Sequence, residues 1–321
     1  PALGREPPLQ SCGIIMKTVP FASGSPAPAP AHHFTVDVEE YFHASALAGV
    51  APPSRWESLE SRVEASTMAL LELLAERDAR ATFFVLGWVA ERRPALVRAL
   101  ADAGHEIASH GQDHRLVTDS QAGEFRLSVR RSRAVLQDIT GTPVLGFRAP
   151  SFSIIRGYEW ALDILLEEGY RYDSSLFPVR RRGYGYLDGR PHPHWVERPG
   201  GRLYELPPAT LRRVGRSFPA GGGGWFRLLP YGLVRSALRD HERAGIPGTF
   251  YIHPWELDHG QPRLPVSRLT RVRHYGGLAR TTERLRRLLR EFRFRSIAQS
   301  LDTIIGENDA RPGELASARP A

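Results

Sequence analysis

Residues 81–109 read ATFFVLGWVAERRPALVRALADAGHEIAS and hold one complete strand–helix–strand step. Ala81 to Leu86 is a short apolar run, the pattern of a strand covered on both faces in a parallel sheet. Pro94 to Ala103 reads as a helix with proline near its start and Gly104 just past its end. Glu106 to Ser109 is the next strand. The same rhythm extends in both directions. Upstream, Phe34 to Val38 is a strand, followed by a helix whose Leu59, Val63, Thr67, Leu70, Leu71 and Leu74 share one stripe. Downstream, helices over 124–140 and 159–168 stop at Gly141 and Gly169, with strands at 144–147 and 170–172 between and after them. Later strands fall at 203–206, 249–252 and 292–297. Strands alternating with helices predict an α/β fold with a parallel sheet. Seven or eight such units over roughly 270 residues predict a closed or nearly closed barrel, with an open doubly wound sheet as the alternative.

Composition narrows the classes. The chain has 321 residues, 41% hydrophobic and 24% charged, which is globular. No apolar run reaches the roughly 18 residues of a membrane helix, so no integral membrane segment is expected. Cys12 is the single cysteine, which excludes an internal disulfide framework, a cysteine zinc site and a CxxC redox pair. The net charge is +8, and Lys17 is the only lysine. The excess lies mostly in the last third, from Arg263 to Arg295. There Arg284, Arg287 and Arg290 are spaced for the solvated face of a helix whose other face carries Leu285, Leu288 and Leu289. No nucleic-acid recognition motif accompanies the charge, so no nucleic-acid partner is expected. Oligomeric state leaves no trace in the sequence.

Residues 1–32 and 307–321 read as disordered tails around a single domain over 33–306. Met16-Lys17 is followed by too short and too proline-rich a stretch for a secretory signal. The expected location is cytoplasmic, including the inner face of the membrane.

Functional side chains of an α/β barrel sit where strands end. The first strand ends in Asp37-Val38-Glu39-Glu40, and Asp37 and Glu39, two apart, project to one side. Two acids at a buried strand end call for a cation or a proton-transfer role. The third strand runs into Ser109-His110-Gly111-Gln112-Asp113-His114, whose two histidines can converge on one ion if the segment coils. With an acid from the first strand they make a two-histidine, one-carboxylate site. His105-Glu106 to His110 only imitates a zincin motif, because the second histidine is five residues on. Arg148, in Phe147-Arg148-Ala149-Pro150-Ser151-Phe152, wants a carboxylate partner, and Asp37 is the obvious one. His253, in Tyr251-Ile252-His253-Pro254-Trp255, faces the same mouth and suits general acid work.

The ordered set TVDVEE, SHGQDH, RAPSF, YDSSLFP and FYIHPWE resembles the polysaccharide deacetylase family (NodB-homology domain, carbohydrate esterase family 4-like) over about Phe34 to Ile297. The details VDVEEYFH, GGGGWFR and HPWELD look most like the deacetylases of exopolysaccharide gene clusters associated with exosortase (PEP-CTERM) sorting systems.

The resemblance implies a distorted (β/α) barrel and removal of N-acetyl groups from amino sugars of a polysaccharide in exopolysaccharide biosynthesis. It implies a divalent metal, zinc first, with Co2+, Ni2+ or Mn2+ as alternatives. His110 and His114 match the family's histidine ligands. Asp37 matches its catalytic base. The family's usual metal aspartate is replaced by Val38, so Glu39 is chosen as the acidic ligand, with Glu40 in reserve. Arg148 matches the arginine that tethers the base, Ser151 supplies the oxyanion N–H, and His253 matches the general acid. In the fourth motif Asp173 matches the first acid, while Leu176 stands where a second would fall. Asp173 is expected as a supporting residue near the substrate. Trp225, in a glycine-rich loop, and Trp255 are expected to line the sugar site. Trp195 is expected to pack, and the turn Glu205-Leu206-Pro207-Pro208 to border the mouth. Two other functions fit the same fold: a metal-independent hydrolase of a small cyclic ureide, and a non-catalytic carbohydrate-binding scaffold.

Overall fold

The computed structural model describes residues 29–301, apart from 181–183, 188 and 214. Cys12, nearly all of the expected N-terminal tail and the whole C-terminal tail lie outside the described residues. The strands are β1 (His32–Val38), β2 (Thr82–Val85), β3 (Glu106–Ser109), β4 (Gly146–Phe147), β5 (Tyr172–Asp173), β6 (His194–Arg198), β7 (Gly201–Glu205), β8 (Thr210–Arg213), β9 (Arg216–Pro219), β10 (Thr249–Ile252) and β11 (Phe294–Arg295). The helices are α1 (Val63–Ala75), α2 (Gly87–Arg92), α3 (Pro94–Asp102), α4 (Ala122–Thr140), α5 (Trp160–Glu167), α6 (Gly223–Leu228), α7 (Tyr231–Arg243), α8 (Arg268–Tyr275) and α9 (Thr281–Glu291).

The main sheet runs β10-β1-β2-β3-β4-β5-β7-β6. Every neighbour is parallel except β6, which returns antiparallel along β7. β11 pairs with the start of β1 at His32 and His33. The β7 and β10 edges are not joined by a ladder. Isolated contacts close the gap: Ala209 N–H donates to the Thr249 carbonyl at 2.8 Å, and Tyr251 N–H to the Gly221 carbonyl at 2.8 Å. The hairpin β8–β9 occupies the interval. This is the distorted barrel of the sequence expectation, its distortion confined to one seam.

Glycine is required in that seam. Gly222 has φ of 144°, and a Cβ there would lie 1.7 Å from the Tyr251 carbonyl oxygen. Only a residue without a side chain lets the two backbones approach so closely.

Alternation along β1 separates two environments. Phe34, Val36 and Val38 join the large core under the helices, with Phe83, Val85, Val97 and Leu285. Thr35 and Asp37 face the other way, into the barrel, where Arg148 binds both. Lower in the barrel Phe84, Ala108, Tyr172 and Leu206 form a separate buried cluster.

Several expected segments take other forms. The glycine-rich stretch is not a loop throughout, because α6 starts at Gly223. Arg284 of α9 is not simply solvated: its guanidinium donates to the carbonyls of Phe226, Arg227 and Leu229. Those carbonyls end α6, where a cation is favoured.

Candidate active site

The ends of β1, β3, β4 and β10 converge on a cavity of about 650 Å³. Asp37, Glu39, His114, Ser151, Phe152, Trp225, His253 and Trp255 line it. A chain leaving a parallel strand turns at this end, which is why chemistry collects here.

Glu39, His110 and His114 bring one ligand atom each to within 4.8 Å of one another. Glu39 and His110 are buried. The segment after β3 coils through Gly111, at φ of 79°, and His114, at φ of 55°, and that coil turns His114 back toward His110. His110 Nδ1 lies 2.8 Å from the Arg148 carbonyl. A carbonyl only accepts, so Nδ1 carries the proton and Nε2 keeps its lone pair. Burial holds the His110 pKa down at about 4, against the opposing pull of Asp37, so the ring is a neutral donor at neutral pH. Burial alone would raise the Glu39 pKa, but the adjacent His114 outweighs it and the carboxyl stays ionised. Glu39 Oε1 accepts from Trp255 Nε1 at 3.0 Å. Its Oε2 sits 2.7 Å from His114 Nε2 with no aligned hydrogen bond. Two imidazoles and an anion facing one point fit a divalent cation. Glu40 does not join them. Its carboxylate accepts from Ser61 Oγ and from the Arg62 N–H, 21 and 22 residues on.

Beside this cluster Asp37 Oδ1 accepts from Arg148 Nη1 at 2.7 Å. Arg148 is fully buried. It also donates to Thr35 Oγ1, Ser174 Oγ and the Ser174 carbonyl, and its guanidinium lies 4.2 Å from the Phe84 ring centre. A cation held on so many sides fixes the Asp37 carboxylate while leaving Oδ2 toward the cavity.

His253 Nε2 stands 3.8 Å from Asp37 Oδ2 and 3.8 Å from Glu39 Oε1. Its Nδ1 donates to Glu256 Oε1 at 2.7 Å. The second Glu256 oxygen accepts from Arg227 Nε. Burial disfavours a charged His253, but the Glu256 bond and the neighbouring carboxylates prevail and raise its pKa to about 9. Ser151 has φ of 53°, and among the described residues nothing accepts its N–H. Its Oγ lies 2.7 Å from Ser45 Oγ.

Asp173 and the Glu205 turn are not at the mouth. Asp173 is wholly buried, accepting from Ser175 Oγ at 2.6 Å, and Glu205 accepts from the Leu176 N–H at 3.1 Å. Burial raises both pKa values, and the neighbouring Asp173 raises that of Glu205 further. β5 and β7 pair Asp173 directly with Glu205, and both are buried rather than exposed to solvent. Trp195 packs, its ring 4.9 Å from that of Tyr204. Glu256 and Arg227 were not singled out from sequence. The signal was present in His253-Pro254-Trp255-Glu256, an acid three residues after the histidine on one helical turn.

The polysaccharide deacetylase family model matches residues 57–170, and a second model, described as a domain of unknown function (DUF3473), matches residues 174–302. Residues 57–170 are thus similar to polysaccharide deacetylases, and the curated relatives matched are named deacetylases. A peptidoglycan deacetylase of Helicobacter pylori is 31% identical over 109 residues, 33% of this chain and 36% of that protein. A chitooligosaccharide deacetylase of Sinorhizobium fredii is 34% identical over 113 residues, 35% of this chain and 53% of that protein. The matched stretch thus spans about a third to a half of these relatives. A crystal structure from Mycobacterium smegmatis, provisionally named a polysaccharide deacetylase, superposes with a TM-score of 0.61 at 22% identity. It covers 93% of this chain and 97% of its own, and it shows the same fold. The site draws on both matched stretches and on the residues before them. His110, His114 and Arg148 lie in the first, His253, Glu256 and Arg227 in the second, and Asp37 and Glu39 ahead of either.

Proposed function

We propose that this protein is a metal-dependent N-deacetylase of amino sugars in a polysaccharide, acting in exopolysaccharide biosynthesis. The observation that carries the reading is the meeting of the Glu39–His110–His114 cluster, the Arg148-tethered Asp37 and the cationic His253 in one cavity.

Glu39, His110 and His114 would hold a divalent cation, zinc first, which would supply Lewis-acid polarisation of the acetyl carbonyl and a lowered pKa for water. Asp37, its other oxygen fixed by Arg148, takes the proton of the attacking water. The Ser151 N–H, free to donate, stabilises charge on the carbonyl oxygen as the carbon becomes tetrahedral. His253 gives its Nε2 proton to the leaving amine, so the C–N bond breaks to a free amino sugar and acetate. Glu256 holds the imidazole in the orientation and charge this step needs. Trp225 and Trp255 offer apolar walls for the sugar ring and acetyl methyl.

The test is metal content together with acetate release from N-acetylated hexosamine oligomers, before and after chelation. About one divalent ion per chain, with release abolished by chelation and by His110→Ala, supports the reading. Acetate release, or ureide hydrolysis, that survives complete metal removal overturns it.

A further inference from the structure

Between Asp258 and Glu283 the chain has no acidic residue and five arginines: Arg263, Arg268, Arg271, Arg273 and Arg280. Elsewhere arginines are mostly matched to carboxylates, as Arg62 is to Asp258, Arg130 to Glu168 and Arg198 to Asp163. Among the described residues none of these five makes an ion pair. Arg263 reaches only the His259 carbonyl and the Tyr275 ring.

This band is not a remote surface. Arg273 lines the same cavity as Asp37, Glu39 and His253. Arg263 and Arg271 border a second depression of about 400 Å³. α8, which bears Arg268, Arg271 and Arg273, is fastened to the catalytic apparatus by Arg227. That side chain donates to the Gly276 and Arg273 carbonyls while holding Glu256. The site's own carboxylates are already served: Asp37 by Arg148, Glu256 by Arg227, and Glu39 by the histidines. Arg273 is therefore surplus positive charge at the edge of the cavity. A neutral N-acetylhexosamine polymer offers it hydroxyl and carbonyl oxygens but no charge to pair with. A guanidinium fork matches a carboxylate in two parallel hydrogen bonds, and a run of unpaired cations draws a polyanion toward the mouth.

We infer that the substrate polymer is acidic, and that Arg273 seats a uronate-type carboxylate on a sugar next to the N-acetyl group being removed, with the rest of the arginine band following the chain outward. The inference rests on the deacetylase reading and adds the charge class of the substrate.

The experiment compares acetate release from two size-matched N-acetylglucosamine oligomers, one alternating with glucuronate and one neutral, using metal-loaded full-length protein at low and high salt. The wild type is expected to favour the acidic oligomer by about tenfold or more in kcat/KM at low salt, the scale of one or two charge-assisted hydrogen bonds. Arg273→Gln is expected to remove most of that preference through KM, and high salt to reduce it. Equal use of both oligomers, a neutral preference, or an unchanged acidic-to-neutral ratio in Arg273→Gln overturns the inference while the deacetylase reading stands. Binding of the acidic oligomer is measured separately by calorimetry. Salt-sensitive binding that Arg273→Gln weakens, without acetate release from either oligomer, supports the polyanion site and counts against the deacetylase reading. Exposed Leu269 and Val272 lie on the same helix. Binding to vesicles rich in anionic lipid, with no discrimination between the oligomers, would assign the band to a membrane surface and overturn the inference.

Discussion

His253 and Glu256 close a ring on one helical turn: the imidazole Nδ1 donates to the carboxylate at 2.7 Å, and the same carboxylate accepts the His253 backbone N–H at 3.1 Å. The fourth motif carries Leu176 where the family's second acid would fall. Glu256 provides the negative charge from the histidine's own segment, and Arg227 holds it from α6.

Glu256→Gln is expected to lower kcat by about a hundredfold with little change in KM, because His253 acts on the leaving amine rather than on substrate capture. Arg227 then loses its anionic partner in a buried position, so stability should also fall, by about 3 kcal/mol. Steady-state kinetics and urea denaturation read the two effects. A rise in KM alone would remove Glu256 from this role.

For Asp37→Asn the expectation differs. The amide oxygen can still accept from Arg148, but the base is gone. Acetate release should fall by about 10²–10⁴-fold while the divalent ion stays bound at one per chain. Loss of the ion together with activity would mean that Asp37 is a ligand rather than a base.

Metal binding should stabilise the fold. Ion present at about a hundred times its dissociation constant contributes about 2.7 kcal/mol. The melting temperature of chelated wild type should therefore rise on adding Zn2+, and that of His114→Ala should not. An equal rise in both would place the ion elsewhere.

The histidines buried away from the site give a stability profile with a definite sign. Burial holds His32 and His33 at about 3, and His105 at about 4, from an ordinary 6.5. Each takes up a proton on unfolding below pH 6.5 that the folded form refuses. Stability from these groups is thus complete above pH 6.5 and is lost as the pH falls toward 4 and 3, by up to about 2 kcal/mol per residue at pH 5. Urea midpoints at pH 7, 6, 5 and 4 should decline through this window, and a flat profile would refute the assignment.

Gly222→Ala tests the seam. The added methyl has no room against the Tyr251 carbonyl. Soluble yield and melting temperature should both drop sharply, by about 3 kcal/mol or more in stability. A fully stable variant would show that the seam opens without cost.

Much of this was legible along the chain. β3 and β10 have the expected bounds, because short apolar runs between helices leave little choice. Leu285, Leu288 and Leu289 are buried on α9 as their spacing required. The hairpin β8–β9 and the strand β6 escaped notice. Their exposed, arginine-rich residues, such as Arg212, Arg213 and Arg216, lack an apolar pattern. α7 was detectable from Tyr231, Val234, Leu238 and His241 at helical spacing, and was missed. At the site, strand ends pointed to Asp37, Glu39, His110, His114, Arg148 and His253, all of which converge. Asp173 was misplaced, because its register opposite Glu205 depends on β7, which is 28 residues further along and parallel to it. Nothing local in the sequence encodes such a pairing.

The position of β1 in the sheet carries a temporal consequence. Its neighbours are β2 on one side and β10 on the other, and the bond from Trp255 to Glu39 spans 216 residues. A ribosome delivers Asp37, Glu39, His110 and His114 long before His253 and Glu256. Until the final third of the polypeptide has emerged, β1 has an unsatisfied edge and the catalytic pocket lacks a wall. The growing chain is then a liability for mispairing, and the finished one becomes competent in a single late docking event.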